Sequence, residues 1–137
     1  MNTKQHFIVI DDEPINNLLC DILIKHSVPD SEVELFSKAS DALKYINYQF
    51  TQSKNDYPEY ILLLDLNMPE LTGWAFLEIF HKFEESIKSR FRIYILSSSI
   101  DHRDKSRADE NPDVIGFLSK PLKREHLNAI MQKEGII

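Results

Sequence analysis

The chain has 137 residues, 42% of them hydrophobic, which suits one domain with a buried core and excludes a disordered segment. Its 22 Asp+Glu against 16 Lys+Arg give a formal net charge of -6, without the broad basic footprint of a nucleic-acid binder. The single cysteine, Cys20, excludes an internal disulfide, and apolar runs of about five residues fall far short of the ~20 that span a bilayer. Residues 1–10 lack the basic region, long apolar stretch and cleavage site of a signal peptide, so a cytoplasmic location is expected.

In chain order, Phe7-Ile8-Val9-Ile10 is a short run, apolar throughout, as a parallel strand reads when both faces are covered. Pro14 opens a helix in which Ile15, Leu18, Leu19, Ile22 and Leu23 form the apolar stripe. Val33-Glu34-Leu35-Phe36 is mixed, which fits an edge strand with one wet face. Ala39, Ala42, Leu43, Ile46 and Phe50 repeat the helical spacing, and the polar stretch 51–59 reads as a long surface loop. Ile61-Leu62-Leu63-Leu64 is the third strand, followed by a helix carrying Phe76, Leu77, Phe80 and Phe83. Ile93-Tyr94-Ile95-Leu96 is the fourth strand. The segment 100–111 has only Ile100 and Ala108 as apolar residues and is closed by Pro112, so it predicts a weakly anchored, mobile helix. Val114-Ile115-Gly116-Phe117-Leu118 is the fifth strand. Leu127, Ile130 and Met131 mark the last helix, which Gly135 ends before a short tail.

Strand and helix alternate five times. This predicts an α/β fold, a (βα)5 doubly wound parallel five-stranded sheet with right-handed crossovers and helices on both faces. A single domain over residues 1–137 is expected, with a core of about 5–133.

In such open sheets, ligands bind beyond the carboxyl ends of the strands. The first strand is followed by Asp11-Asp12-Glu13, the third by Asp65, the fourth by Ser97-Ser98-Ser99 and the fifth by Ser119-Lys120. Gathered carboxylates raise one another's pKa unless a cation joins them, and Mg²⁺ suits carboxylates, water and a phosphate oxygen. Lys120 adds a point positive charge, a serine hydroxyl can donate to a phosphoryl oxygen, and an aspartate can attack phosphorus. Together these groups make a phosphoryl-transfer set.

The motifs Val9-Ile10-Asp11-Asp12-Glu13-Pro14, Leu64-Asp65-Leu66-Asn67-Met68-Pro69 with Gly73, Ile95-Leu96-Ser97-Ser98 and Phe117-Leu118-Ser119-Lys120-Pro121 resemble those of CheY-like response regulator receiver domains of two-component systems. The resemblance covers nearly the whole chain in order. It implies a flavodoxin-like strand order 2-1-3-4-5, with Asp65 as phosphoacceptor. It implies Mg²⁺ held by Asp11, Asp12, Asp65 and the Asn67 backbone carbonyl. It further implies that Ser97 and Lys120 bind the phosphoryl group, that Ser97 and Phe117 act as switch residues, and that a cis peptide precedes Pro121. Ser99, two positions past Ser97, stands where the family tunes phosphate loss.

The implied function is a stand-alone switch rather than an enzyme, one that assists only its own phosphorylation and dephosphorylation. A sensor histidine kinase or histidine phosphotransfer protein would supply the phosphoryl group. The face made by the fourth helix, fifth strand and fifth helix would then regulate a downstream protein. No direct nucleic-acid or membrane contact is expected, and the protein would be a monomer or weak dimer.

Two alternatives compete with this reading. One is an Mg²⁺-dependent phosphohydrolase of the haloacid dehalogenase type, which uses an aspartate nucleophile in a D-x-D pattern after its first strand; here Asp11 and Asp12 are adjacent. The other is a receiver-like interaction module that is not phosphorylated. An FMN-binding flavodoxin shares the architecture, but three carboxylates without a metal would repel its phosphate. The five histidines (6, 26, 81, 102 and 126) have no metal-ligand spacing. Trp74, Phe76 and Phe80 read as helix packing, and Cys20 as inert.

Overall fold

The computed structural model describes residues 4–51 and 58–135. The strands are β1 (Gln5–Ile10), β2 (Ser31–Phe36), β3 (Tyr60–Leu64), β4 (Phe91–Ser97) and β5 (Val114–Ser119). The helices are α1 (Pro14–Ser27), α2 (Ala39–Thr51), α3 (Gly73–His81), α4 (Glu85–Lys88), α5 (His102–Glu110) and α6 (Arg124–Lys133). All pairings are parallel, in the order β2-β1-β3-β4-β5.

Alternate residues of the central strands feed two cores. Ile8, Ile10, Leu62, Leu64, Ile93 and Ile95 meet Ala42 and Ile46 of α2, Phe76 and Phe80 of α3, and Ala108 of α5. Phe7, Val9, Ile61, Leu63, Tyr94 and Leu96 meet Cys20 and Ile24 of α1 and Leu127, Ile130 and Met131 of α6. Helices therefore cover both faces, which is why the central runs 7–10, 61–64 and 93–96 are apolar throughout. β2 is an edge strand as expected. β5 is the other edge, and its residues are only half-buried or exposed despite their apolar character.

Three departures from the expected elements have physical causes. Most of the expected apolar stripe of α1 faces outward: Ile15 is 73% exposed, and Leu18, Leu19 and Ile22 are more than half exposed, while Leu23 is half-buried against the core. The buried face is Asn17, Cys20 and Ile24 instead. The Asn17 amide donates to the Asp11 carbonyl at 2.8 Å and the Phe36 carbonyl at 3.4 Å. Satisfying these strand-end carbonyls turns a polar position inward. Second, Phe83 lies beyond α3, and a single turn, α4, follows it. One turn has no periodicity to detect. Third, Thr51 belongs to α2, and residues 52–57 of the expected loop lie outside the described residues, as does the 136–137 tail.

The helix expected over 100–111 is α5. Ala108 is its one buried residue, and Ile100 lies outside it, 95% exposed. Gly135 adopts φ 73°, the left-handed conformation glycine favours just past a helix end. Among the described residues no helix is long and apolar enough to cross a membrane.

Candidate functional site

The sheet register assembles the site. Ile10 pairs with Leu64, so Asp11 and Asp65 lie side by side, one step beyond the paired strands. Leu64 also pairs with Ile95, which puts Ser97 one position further along than Asp65. Ser97 pairs with Ser119, and Lys120 follows. The backbone holds both acids: Asp11 N–H donates to the Phe36 carbonyl and Asp65 N–H to the Ile10 carbonyl, each at 3.0 Å.

Asp11, Asp12 and Asp65 each offer a carboxylate oxygen, and these atoms lie within 4.8 Å of one another. Asp11 and Asp65 are buried and Asp12 half-buried. Lys120 Nζ is 2.6 Å from Asp11 Oδ2, 3.5 Å from Asp65 Oδ1 and 3.7 Å from Glu13 Oε1. The lysine's own N–H donates to the Ser97 carbonyl at 2.9 Å, and the Lys120–Pro121 peptide that follows is cis.

Charge and burial pull against each other here. Burial, then the neighbouring Asp11 charge, push the Asp65 carboxyl up to about 6, although Lys120 and the Asn67 backbone N–H oppose the shift. Burial works to lower the Lys120 pKa. The hydrogen bond and charge of Asp11, then Asp65 and Glu13, outweigh it and hold the ammonium above its ordinary value. Three oxygen donors with one lysine among them form a hard, under-neutralised set. It fits a small divalent cation such as Mg²⁺.

Gly73 has a steric task. A Cβ there would meet the Asp65 carbonyl oxygen at 2.5 Å, so only glycine lets the start of α3 approach the acid's backbone. Its N–H donates to the Leu66 carbonyl at 3.0 Å. At the end of β4, the fully buried Ser97 accepts the Ser99 N–H at 3.1 Å, and Ser99 Oγ donates to Asp104 at 2.6 Å. Phe117 is half-buried against the α3 side of the core. The Cys20 thiol is pushed up to about 11 by burial, then by the Asp11 charge, which disfavours the thiolate form.

Sequence reasoning missed two polar contributors on α1. Asn16 Nδ2 donates to Asp11 Oδ2 at 2.7 Å, and Asn17 serves the Asp11 carbonyl. The available signal was a pair of polar residues interrupting an apolar helix one turn after the acids. Of the histidines, His6 pairs with Glu32 and His81 with Asp113, and His126 accepts the Lys123 N–H.

The family description "response regulator receiver domain" matches residues 7–132. The chain therefore belongs to the response regulator receiver domains of two-component systems, signalling switches rather than classical enzymes. It is similar to a two-component response regulator from Cytophaga hutchinsonii: 27% identity, 96% of this chain and 97% of that one covered, TM-score 0.84. It is also similar to a response regulator receiver protein from Dyadobacter fermentans: 28% identity, 94% and 96% covered, TM-score 0.83. Chemotaxis response regulator CheY4 of Vibrio cholerae, at 21% identity, 96% and 98% covered and TM-score 0.70, shares the fold. A search of the curated proteins finds no match.

Proposed function

We propose that this receiver is a phosphorylation switch whose acceptor is Asp65. An Asp65 oxygen attacks the phosphorus of a phosphohistidine on a sensor histidine kinase or histidine phosphotransfer protein. The P–N bond breaks, and its electron pair stays on the imidazole nitrogen. Asp11, Asp12, Asp65 and the Asn67 carbonyl would hold Mg²⁺, which when bound would supply charge neutralisation for the transfer. Lys120 moves from its carboxylate partners to a phosphoryl oxygen, and the Ser97 hydroxyl donates to another.

The carrying observation is the convergence of three carboxylates and Lys120 at one strand edge. The outward apolar face of α1 begins at Pro14, just past Asp12, and gives the donor protein a surface to rest on. On the other side, Ser97 draws on the β4–α5 connection, Phe117 turns inward, and the face made by α5, β5 and α6 changes shape for a downstream protein. The switch works as a monomer or weak dimer in the cytoplasm.

The test is acetyl phosphate labelling with Mg²⁺, read by intact mass. The native chain should gain one acid-stable, base-labile phosphoryl group, and Asp65→Asn should gain none. Undiminished labelling of Asp65→Asn would remove the assignment.

A further inference from the structure

Asp11 is 1% exposed, so each of its carboxylate oxygens needs donors from the protein or the site. Oδ1 accepts the Glu13 N–H at 2.9 Å. Oδ2 accepts from two directions: Lys120 Nζ at 2.6 Å and Asn16 Nδ2 at 2.7 Å. The carboxylate therefore has two neutral donors, the Glu13 N–H at the cap of α1 and the Asn16 amide in its first turn, and one charged donor on a flexible stem.

Phosphoryl binding asks one of these three to leave. Lys120 is 3.5 Å from Asp65 Oδ1 and must turn toward the group added there. If Lys120 were the only partner of Asp11 Oδ2, that movement would strip a buried carboxylate oxygen of its donor, which is strongly unfavourable. Asn16 removes the difficulty because a carboxylate oxygen can accept two hydrogen bonds and the amide stays when the lysine goes. Its carrier, α1, is anchored beside the site by Asn17, buried and bonded to the Asp11 and Phe36 carbonyls.

From this geometry we infer that Asn16 is a positioning residue for phosphoryl transfer: it holds Asp11 while Lys120 exchanges a carboxylate partner for the phosphoryl group. The inference rests on the proposed acceptor chemistry at Asp65. Asn16 does not touch the phosphoryl group; it acts through Asp11 and Lys120.

The test compares the native chain with Asn16→Leu, similar in shape but without a donor, and Asn16→Gln, which keeps an amide on a longer stem. Three quantities are measured: the thermal midpoint, the Mg²⁺ dissociation constant by calorimetry, and the phosphorylation rate with acetyl phosphate at saturating Mg²⁺. Asn16→Leu should fold and bind Mg²⁺ within about threefold of the native chain, yet accept phosphate roughly tenfold more slowly, the rate equivalent of one hydrogen bond to a charged group. Asn16→Gln should recover a substantial part of the rate.

A native rate in Asn16→Leu overturns the inference while leaving the acceptor assignment intact. A rate loss matched by an equal loss of Mg²⁺ affinity, or no recovery with Gln, also overturns it, because Asn16 would then be only a structural support. A native chain that takes no label overturns the acceptor reading instead. In the folded native chain without metal, the Asn16 side-chain amide protons should exchange slowly; fast exchange would also count against the inference.

Discussion

The centre of the sheet and its β5 margin are built to different standards. At the centre, β1 and β3 lie between two cores, and the residues just past their ends, Asp11 and Asp65, are fixed by backbone hydrogen bonds. At the margin, β5 is half-buried along its length, and α5 is polar but for Ala108. Local stability follows buried apolar contact, so the margin opens at lower free energy than the centre. The gathered carboxylates sit on the firmly packed part, and the loosely packed margin borders it through Ser97.

The largest effect should come from removing the support under the centre. Phe76 is fully buried, packs beneath β3 and stacks with Phe80 at 6.2 Å between ring centroids. Phe76→Ala should destabilise the fold by about 3–5 kcal/mol, the range for a large aromatic deleted from a packed core. Urea unfolding measures it. A loss under about 1 kcal/mol would mean that the centre is no better packed than an ordinary margin.

A smaller effect of opposite sign comes from the acids. A carboxyl raised to about 6 in the fold binds its proton more tightly there than in the unfolded chain. The stability it contributes is complete below the unfolded value near 4 and is lost as pH rises through about 6. At pH 7.5 without metal, the native protein therefore carries the full penalty of a charged Asp65, and Asp65→Asn removes it. The variant should be more stable by about 2 kcal/mol, with the gain disappearing near pH 4. Lys120 keeps its closest partner, Asp11, in this variant. Urea unfolding across pH in EDTA checks the result. Equal stability at both pH values would mean that the acids are not in conflict.

These features were unequally legible in the sequence. Strands buried on both faces announce themselves as apolar runs, and the strand-end rule then gathers Asp11, Asp65, Ser97 and Lys120 from the sequence alone. The facing of α1 was not legible. Helical spacing allows two stripes, and hydrophobicity selected Ile15, Leu18, Leu19, Ile22 and Leu23; of these only Leu23 packs against the core, and the fold buries Asn17, Cys20 and Ile24. The deciding interaction, an amide serving two strand-end carbonyls, has no apolar signature. Asn16 was hidden for a related reason: its partner is set by how α1 leaves β1. The weakness of α5 was legible because a helix with almost no apolar residue cannot be firmly docked.

The smallest expected effect tests that weakness directly. The Arg107 guanidinium carbon of α5 lies 4.3 Å from the ring centroid of Trp74 at the start of α3. Arg107 is exposed, so the contact is worth about 0.5–1 kcal/mol. On a helix with one buried residue that is a large share of what holds it, whereas against the whole fold it is minor. Arg107→Ala should therefore speed amide hydrogen exchange in α5 several-fold and leave β1 and β3 unchanged. Trp74 is the only tryptophan, so its emission reports the lost contact in the same sample. Exchange that rises equally in β1, β3 and α5 would show that margin and centre open as one unit, against the difference in their packing.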